Sequence, residues 1–519
     1  MTIVSKLLIT MLVLLGVLLP DQASPVLSNA NSSLLNIFNA YYIYVVTLFL
    51  IFCIVVAAVP AIGKQKLGSV NDQPEFSNFS WFSMMFSSGM GIGLMVFSTA
   101  EPIWHFGENP EIINGSVEPH TFKAMQSAFR YSFLHYGLHP WGIYVVTGLS
   151  LAYFAYRYHL PLTIRSTLFP LLGKRLSGYA GHLLDISAII ATLLGIAVTI
   201  GYGINQLVVG LNEIAGFEWI MLSDSEIDTA PAASKSALLL ALFMVMFLSI
   251  VSAATGIRRG IKLLSNLNLS LSCLLLLVFF IFGPLFFLLE LYGRATVDYL
   301  LTLPAISVEV FELGTAAADW QGQGTILYWA WWIAFAPFVG LFLARISRGR
   351  TIREFVIGAM LAPAAMCFVW IVLLGGTAIH LELSGVAAER IIHASISARL
   401  FETLNVLLSD ALFKGFAQLV SMVTVLLILT FLITSADSGI LVLNTIMTGG
   451  RNQANLKHKI IWGLILSTVI AVLLITGGGG LETLQNAMIM GALPFSVVMI
   501  LMCLALIKDY AHHTKTSDS

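Results

Sequence analysis

Charged side chains are scarce in this sequence. Only 10% of its 519 residues are charged and 58% are hydrophobic, whereas about 25% of the residues of a soluble globular protein are charged. This is too few charged residues for a water-exposed surface. Lipid must therefore cover most of the protein. No long basic run occurs, and nucleic acid is therefore not an expected partner. At roughly 20 apolar residues per membrane-spanning helix, the chain has room for about a dozen spans.

Cysteine is equally scarce. The four cysteines, at positions 53, 273, 367 and 503, each lie in an apolar run, with no CxxC or His/Cys ligand spacing. We interpret them as small buried hydrophobic residues, without disulfide or metal roles. The histidine pairs His135/His139 and His512/His513 have no evident partner in the sequence, so an enzyme, which needs an acid/base or metal constellation, is not expected. No cofactor is expected either.

The apolar runs predict an all-α polytopic membrane protein with twelve transmembrane helices. The predicted spans are 4–20, 37–61, 82–106, 125–156, 178–211, 235–256, 264–292, 325–346, 354–380, 410–446, 459–477 and 485–507. Residues 7–19, behind Lys6, also resemble a signal peptide, an alternative that stays open.

The distribution of basic residues predicts the orientation. Clusters of Lys and Arg follow the even-numbered spans, and the intervening loops are acidic or neutral. Because basic residues concentrate in cytoplasmic loops, we expect both termini in the cytoplasm and a multi-pass protein of the bacterial inner membrane. The basic residues are Lys64, Lys66, Arg157, Arg165, Lys174, Arg175, Arg258, Arg259, Lys262, Arg345, Arg348, Arg350, Arg353, Arg451, Lys457, Lys459 and Lys508.

Two spans carry residues that disfavour a regular helix. The third has Gly89, Gly91 and Gly93 at every second position. Close helix packing through small residues is the alternative, but that motif has a period of four. A period of two favours unwound backbone, which a membrane tolerates where it lines a cavity. In the eighth span, Pro337 follows the aromatic segment 328–335 and predicts a second broken helix.

Aromatic residues recur in the fourth span at Tyr136, Trp141 and Tyr144. On an ideal helix Trp141 lies about 140° and Tyr144 about 80° from Tyr136, so all three border one cavity only if the helix edge is broad. An aromatic box without carboxylates suits a quaternary ammonium, which donates no hydrogen bonds but is attracted to π faces. An interfacial belt is the alternative for tryptophans at the start of the eighth span.

Ionisable residues inside spans are few: Glu101, Asp185 and Asp437. Such acids are functional candidates, with a local structural hydrogen bond as the alternative for Asp437. Thr434 and Ser435 offer uncharged oxygens for a monovalent cation, with back-bonding to the preceding helical turn as the alternative.

Five segments together carry a family resemblance: 85–94 with 100–102, 135–141, 329–340, 344–351 and 434–439. In this order they resemble the betaine/choline/carnitine transporter family over nearly the whole chain. The resemblance implies two inverted five-helix repeats, the LeuT-like core, and a homotrimer in membrane lipid. The implied divisions are 1–81 for two preceding helices, 82–292 and 325–507 for the repeats, 293–324 for an external amphipathic connection, and 508–519 for a short cytoplasmic tail.

The same resemblance implies site residues. The substrate-binding set is Tyr136, Trp141, Tyr144, Trp331, Trp332, Phe335, Gly89, Met90 and Gly91. Phe335 is a departure, since relatives often have tryptophan or tyrosine there. The implied sodium ligands are Ser87, Met90, Phe431, Thr434 and Ser435. A second sodium site, with Thr192 and Phe338, is incomplete because Ile196 replaces its second threonine. No metal other than sodium is implied.

The implied function is secondary transport, with sodium-coupled symport of a zwitterion such as glycine betaine as the leading expectation. Gly93 stands where proton-coupled choline carriers have aspartate, which favours a zwitterion over choline. Sodium-independent exchange, or proton-coupled transport of carnitine, choline or a sulfonium analogue, remains the alternative.

Overall fold

The computed structural model describes residues 20–89, 91–221, 233–255, 262–410, 412, 414–449, 456–475 and 480–517. Helices make up nearly all of these ranges, and the described residues contain no strand beyond two isolated bridges. Nine helices in the described ranges are long and apolar enough to cross a membrane. The expected all-α polytopic membrane protein is therefore confirmed. Residues 4–19 of the predicted span 4–20, and Met90, lie outside the described residues.

Fourteen of the longer helices are labelled here in chain order. They are α1 (Pro20–Ala58), α2 (Asn78–Gly89), α3 (Ile92–Gly107), α4 (Phe122–Tyr136), α5 (Leu138–Arg157), α6 (Tyr179–Ala215), α7 (Lys235–Thr255), α8 (Lys262–Phe282), α9 (Leu285–Ile306), α10 (Leu327–Ile346), α11 (Ile352–Ile371), α12 (Lys414–Met447), α13 (Leu456–Ile475) and α14 (Gly480–Ser517). Shorter helical segments are Pro60–Gly63, Pro110–Ile113, Ile164–Leu168, Phe169–Leu172, Gly173–Ser177, Glu218–Ile220, Ala316–Gln321, Gly322–Ile326, Val372–Gly376, Thr377–Leu383, Arg390–His393 and Arg399–Leu407.

The first described helix is longer than expected. α1 has 39 residues, about 58 Å at 1.5 Å per residue, so the predicted loop between spans 4–20 and 37–61 is wrong from Pro20 onward. This polar stretch is helical, and Asn31 within it contacts α14: its Nδ2 donates to Asn486 Oδ1 at 2.8 Å. The polarity of Asn31 therefore marks a contact between helices.

Two helices are interrupted where glycine occurs. α2 and α3 are separate helices, and Gly91 takes extended angles at the start of α3 (φ −159°, ψ −164°), which agrees with the predicted unwinding. α4 and α5 meet at Gly137, which is also non-helical (φ −93°, ψ −135°). A Cβ at residue 137 would lie 2.4 Å from Phe133 O and 2.9 Å from Phe368 Cζ. Only glycine fits this close junction.

The predicted break at Pro337 is wrong. α10 continues through Pro337 to Ile346, and its irregular part is instead the π-helical segment Gly322–Ile326 before it. Proline removes one N–H, and a helix packed on neighbours can tolerate that loss. The predicted span 264–292 is also wrong, because α8 ends at Phe282 and a second helix, α9, begins after Gly283 and Pro284. The predicted tail 508–519 is helical as far as Ser517.

Helix packing determines which faces meet at the centre. α10 packs against α5 and α6, and α6 also packs along α12 and α14. The start of α3 approaches α6 and α12. The glycine break, the aromatic segment and the hydroxyl pair of α12 are thereby brought to one place.

Candidate functional site: an aromatic pocket at a helix break

Three aromatic rings from the two sides of the junction at Gly137 face the ring of Trp332 on α10. The Trp332 ring centroid lies 6.0 Å from that of Tyr136, 5.6 Å from Trp141 and 4.9 Å from Tyr144. Tyr136 ends α4, whereas Trp141 and Tyr144 lie in α5. Because the chain changes direction between them, the ideal-helix offsets do not apply, and all three rings reach Trp332.

Three of these rings, those of Tyr136, Tyr144 and Trp332, border a cavity of about 280 Å³. Its wall consists of Gly91, Ile92, Gly93, Leu94, Tyr136, Tyr144, Thr199, Ser265, Asn268, Tyr328, Trp331, Trp332, Phe335, Phe338, Val339, Phe342, Phe431, Thr434, Ser435 and Ser438. No Asp, Glu, Lys or Arg of the described residues is among them. The cavity therefore combines aromatic faces with uncharged oxygens.

Of the four rings described above, only that of Trp141 does not line this wall. It is buried, and its ring lies edge-on to those of Tyr144 and Trp332. Trp141 therefore packs against the Trp332 ring without lining the cavity itself. Trp329, which was not a predicted site residue, is also buried, and it stacks on His139 at 4.8 Å.

The glycine segment leaves backbone open to the cavity. A Cβ on Gly91 would meet nothing within 4 Å, and one on Gly93 would meet only Trp331, at 3.8 Å. Space beside an unwound backbone lets its N–H and C=O groups reach a ligand. Ser87 and Gly89 lie in the last turn of α2, next to this segment.

The hydroxyl pair on α12 faces the same cavity. Thr434 Oγ1 accepts a hydrogen bond from Asn268 Nδ2 at 2.9 Å and lies 3.1 Å from Phe431 O. It also bonds back to Thr430 O at 3.0 Å, as the structural alternative expected. Two uncharged oxygens of the predicted sodium set are thus 3.1 Å apart, and Ser435 lines the same cavity.

The residues of the incomplete second ion site are placed differently. Phe338 lines the cavity, whereas Thr192 is buried in α6 away from the wall. The Thr192 hydroxyl has no hydrogen-bond partner among the described residues. Ile196, one turn on, packs against Gly439, where an added Cβ would lie 2.5 Å from Ile196 Cδ1.

Two of the three acids inside spans have structural partners. Asp437 accepts hydrogen bonds from Ser252 Oγ at 2.5 Å and from Ser438 Oγ at 3.1 Å. Asp185 forms an ion pair with Arg165. Neither carboxylate lines the cavity, so these acids stabilise helix contacts around it.

The sequence reasoning missed Tyr328 and a second cavity. This second cavity of about 810 Å³ is here called the outer cavity, after the orientation that the basic loops predict. Four rings, here called the aromatic layer, lie between it and the aromatic pocket: Phe97, Tyr202, Tyr328 and Trp331. Neighbouring centroids in this layer are 4.8 to 6.4 Å apart. Tyr328 lines both cavities. Its position in the aromatic segment was the only available sequence signal.

The aromatic layer is held by Trp331. Its Nε1 donates to Thr199 Oγ1 at 3.0 Å, and its ring stacks on Tyr202. Trp331 thus belongs both to the pocket wall and to the barrier above it. The predicted site residue Phe335, one turn along α10, lies on the pocket side, edge-on to Phe338 at 5.8 Å.

Comparison with known proteins now bears on this site. The family model of BCCT, the betaine/carnitine/choline family transporters, matches residues 1–515 of this chain. This chain belongs to that family. It is a membrane transporter, not an enzyme, as expected. The predicted resemblance is confirmed over nearly the whole chain.

Individual relatives agree with this. The chain is 39% identical to the glycine betaine transporter OpuD of Bacillus subtilis over 495 residues, 95% of this chain and 91% of that protein. It is 37% identical to a glycine betaine transporter of Acinetobacter baylyi over 494 residues, 95% of this chain and 70% of that protein. An osmo-dependent choline transporter, BetT2, of the same organism is 35% identical over 517 residues, 98% and 70% respectively.

Proposed function

We propose that this transporter is a sodium-coupled symporter of a quaternary-ammonium zwitterion such as glycine betaine. The observation that carries the proposal is the aromatic pocket with no charged residue in its described wall. A quaternary ammonium head donates no hydrogen bond, but the faces of tryptophan and tyrosine attract it. A zwitterion has no net charge, so its pocket needs no opposite charge, whereas a net cation would benefit from an acid.

Sodium coupling is supported by the oxygens on α12. Phe431 O and the Thr434 hydroxyl are 3.1 Å apart, and Ser435 is adjacent. Carbonyl and hydroxyl oxygens without formal charge suit a monovalent cation. These residues line the same cavity as the aromatic rings, so an ion there would stabilise the substrate-binding arrangement of α3 and α12. Transport of one would then depend on the other.

The two cavities support alternating access. The aromatic pocket extends to Ser265, near the start of α8, and to Phe342, near the end of α10. Both positions are next to basic loops, and the aromatic layer lies between the pocket and the outer cavity. Under the basic-loop rule the pocket then opens to the cytoplasm. Placement in the bacterial inner membrane, cytoplasmic termini, the inverted repeats and a homotrimer are parts of the same proposal.

Uptake of labelled glycine betaine into proteoliposomes tests the proposal. An inward sodium gradient should drive accumulation, and replacing external sodium by potassium should abolish it. Equal uptake in both salts would remove sodium from the mechanism. Uptake that needs preloaded substrate would indicate an exchanger, and uptake driven by a pH gradient would indicate proton coupling. A competition panel of choline, carnitine and sulfonium analogues then defines the substrate.

A further inference from the structure

A buried cluster next to the outer cavity has no part in the proposed transport site. Glu101 and His105 lie one turn apart on α3, and His135 reaches them from α4. Glu101 Oε1 lies 3.3 Å from His105 Nε2 and forms a close contact with His135 Nδ1. The interpretation that His135 lacks a partner is therefore wrong. The three side chains are at most 1% exposed.

We propose that Glu101, His105 and His135 bind a divalent transition-metal ion of the Zn²⁺ class. The three candidate ligand atoms all lie within 4.8 Å of one another. In tetrahedral zinc sites, neighbouring ligand atoms are about 3.3 Å apart, because metal–ligand bonds are about 2.0–2.2 Å long. The separation of Glu101 Oε1 and His105 Nε2 already has this value. Two imidazoles and one carboxylate form a common three-ligand zinc set, which leaves a fourth position for water or substrate.

The surroundings of His135 resemble those of a metal ligand. Its other ring nitrogen, Nε2, lies 2.9 Å from the hydroxyl of Thr325. A second hydrogen bond of this kind fixes the ring orientation and selects the tautomer whose free nitrogen faces the ion. Thr325 belongs to the π-helical segment Gly322–Ile326, so this irregular turn places the hydroxyl.

The charge of Glu101 also points to a cation. No Lys or Arg of the described residues lies within 4 Å of its carboxylate, whose neighbours are the two histidines and the hydroxyl of Tyr328. Arg399 lies nearby, but its nitrogens donate to the carbonyls of Ala100, Ile392 and Ala394. A buried carboxylate without a cation is costly. A divalent ion would neutralise it and occupy the imidazole nitrogens at once.

An ion has a route to this cluster, because Glu101 lines the outer cavity. Once bound, it would join α3 to α4. The His135 ring stacks on Tyr328 of the aromatic layer at 4.8 Å and 16°. Fixing His135 would thereby hold the outer barrier closed, and external Zn²⁺ should slow transport.

Direct binding to the purified full-length chain in detergent, without an affinity tag, tests the proposal. The His512→Ala/His513→Ala background removes the histidine pair of the tail. We expect one saturable Zn²⁺ site by equilibrium dialysis and mass spectrometry. Co²⁺ in its place should give the intense visible absorption of a tetrahedral ion. Glu101→Gln and His105→Ala should each weaken Zn²⁺ binding by about 100-fold. Thr325→Val, which removes a bond to a ligand, should cost about 10-fold.

A matched control lies on the surface. His393 and Glu389 form the same one-turn pair, at 3.2 Å, but both side chains are at least 74% exposed, and among the described residues no third ligand joins them. His393→Ala should leave Zn²⁺ binding unchanged. Size-exclusion profiles and melting temperatures show which variants fold. Absence of saturable binding in the folded background protein, or a weak octahedral Co²⁺ spectrum there, overturns the proposal before any of the three ligands is substituted. So does binding that survives in a folded Glu101→Gln protein.

Discussion

The aromatic pocket and the outer cavity lie on opposite sides of one layer of rings, yet they differ in charge. The pocket of about 280 Å³ has no charged residue in its described wall, whereas the outer cavity of about 810 Å³ is lined by Glu101, Asp319, Arg399 and Glu482. Both contain tryptophan and tyrosine. Aromatic content alone therefore does not distinguish the proposed binding pocket from the proposed entrance. The smaller volume and the absence of charge in the described wall do.

The test with the largest expected effect replaces one tryptophan by alanine in each of the two cavities. Trp332→Ala removes the ring that contacts three cage residues in the pocket. A desolvated cation–π contact is worth about 2 kcal/mol, so substrate affinity should fall by at least about 30-fold. Trp104→Ala removes a ring from the outer cavity and should change affinity by less than about threefold. Tryptophan-fluorescence titration of both proteins measures this. Equal losses would mean that the pocket has no privileged role in binding.

A second test asks whether a hydroxyl on α12 binds an ion or only takes part in ordinary helix packing. Thr434→Ala should raise the sodium concentration for half-maximal uptake by about tenfold, because one proposed ligand is lost, and Thr434→Ser should restore it. Thr430 is the matched control, one turn earlier on α12, where its hydroxyl bonds back to Leu426 O at 2.9 Å and Leu427 O at 3.1 Å. Thr430→Ala should leave the sodium dependence unchanged. A similar shift in both variants would assign Thr434 a purely structural role.

A third test introduces the charge that the pocket lacks. Gly93→Asp is sterically possible, since a Cβ there meets only Trp331 at 3.8 Å. A carboxylate near the onium head attracts a net cation more than a zwitterion, whose own carboxylate it repels. The ratio of choline to glycine betaine affinity should rise by about tenfold. Gly93→Asn has nearly the same size without the charge and should leave the ratio near its original value. A matching rise with asparagine would attribute the change to shape.

Local signals in the sequence were sufficient for much of this site. The period-two glycines predicted the break at Gly91, and the aromatic and hydroxyl residues were recognisable on their own helices. Tyr136, Tyr144 and Trp332 do line one cavity, although ideal helix geometry made that arrangement difficult. The reason is the junction at Gly137, which periodicity alone does not show.

What could not be predicted depends on contacts between distant segments. Pro337 has the local signature of a helix break, but α10 continues through it. Asn31 has the signature of a loop, but it bonds to Asn486, 455 residues away. The spacing of Glu101 and His105 was a visible clue to a cluster, but His135 joins them only because α3 packs on α4. Local polarity and breakers thus mislead where another helix supplies the partner.

The smallest expected effect concerns Phe335, the pocket residue at which this chain departs from the pattern expected of its relatives. Its ring lines the pocket beside Phe338 and lies close to Gly195, where an added Cβ would be 3.0 Å from Phe335 Cδ2. Phe335→Tyr adds one hydroxyl at the ring edge, and a neutral hydrogen bond contributes about 0.5–1.5 kcal/mol. If that hydroxyl reaches the anionic end of a zwitterion, glycine betaine should bind about two- to tenfold more tightly, while choline, which has no carboxylate, should not gain. Phe338→Tyr, on the neighbouring ring, is the matched control. Competition of both substrates against one label measures the two affinities. A gain for both substrates would mean that the added hydroxyl does not select for the carboxylate, and the proposed orientation of the substrate would lose this support.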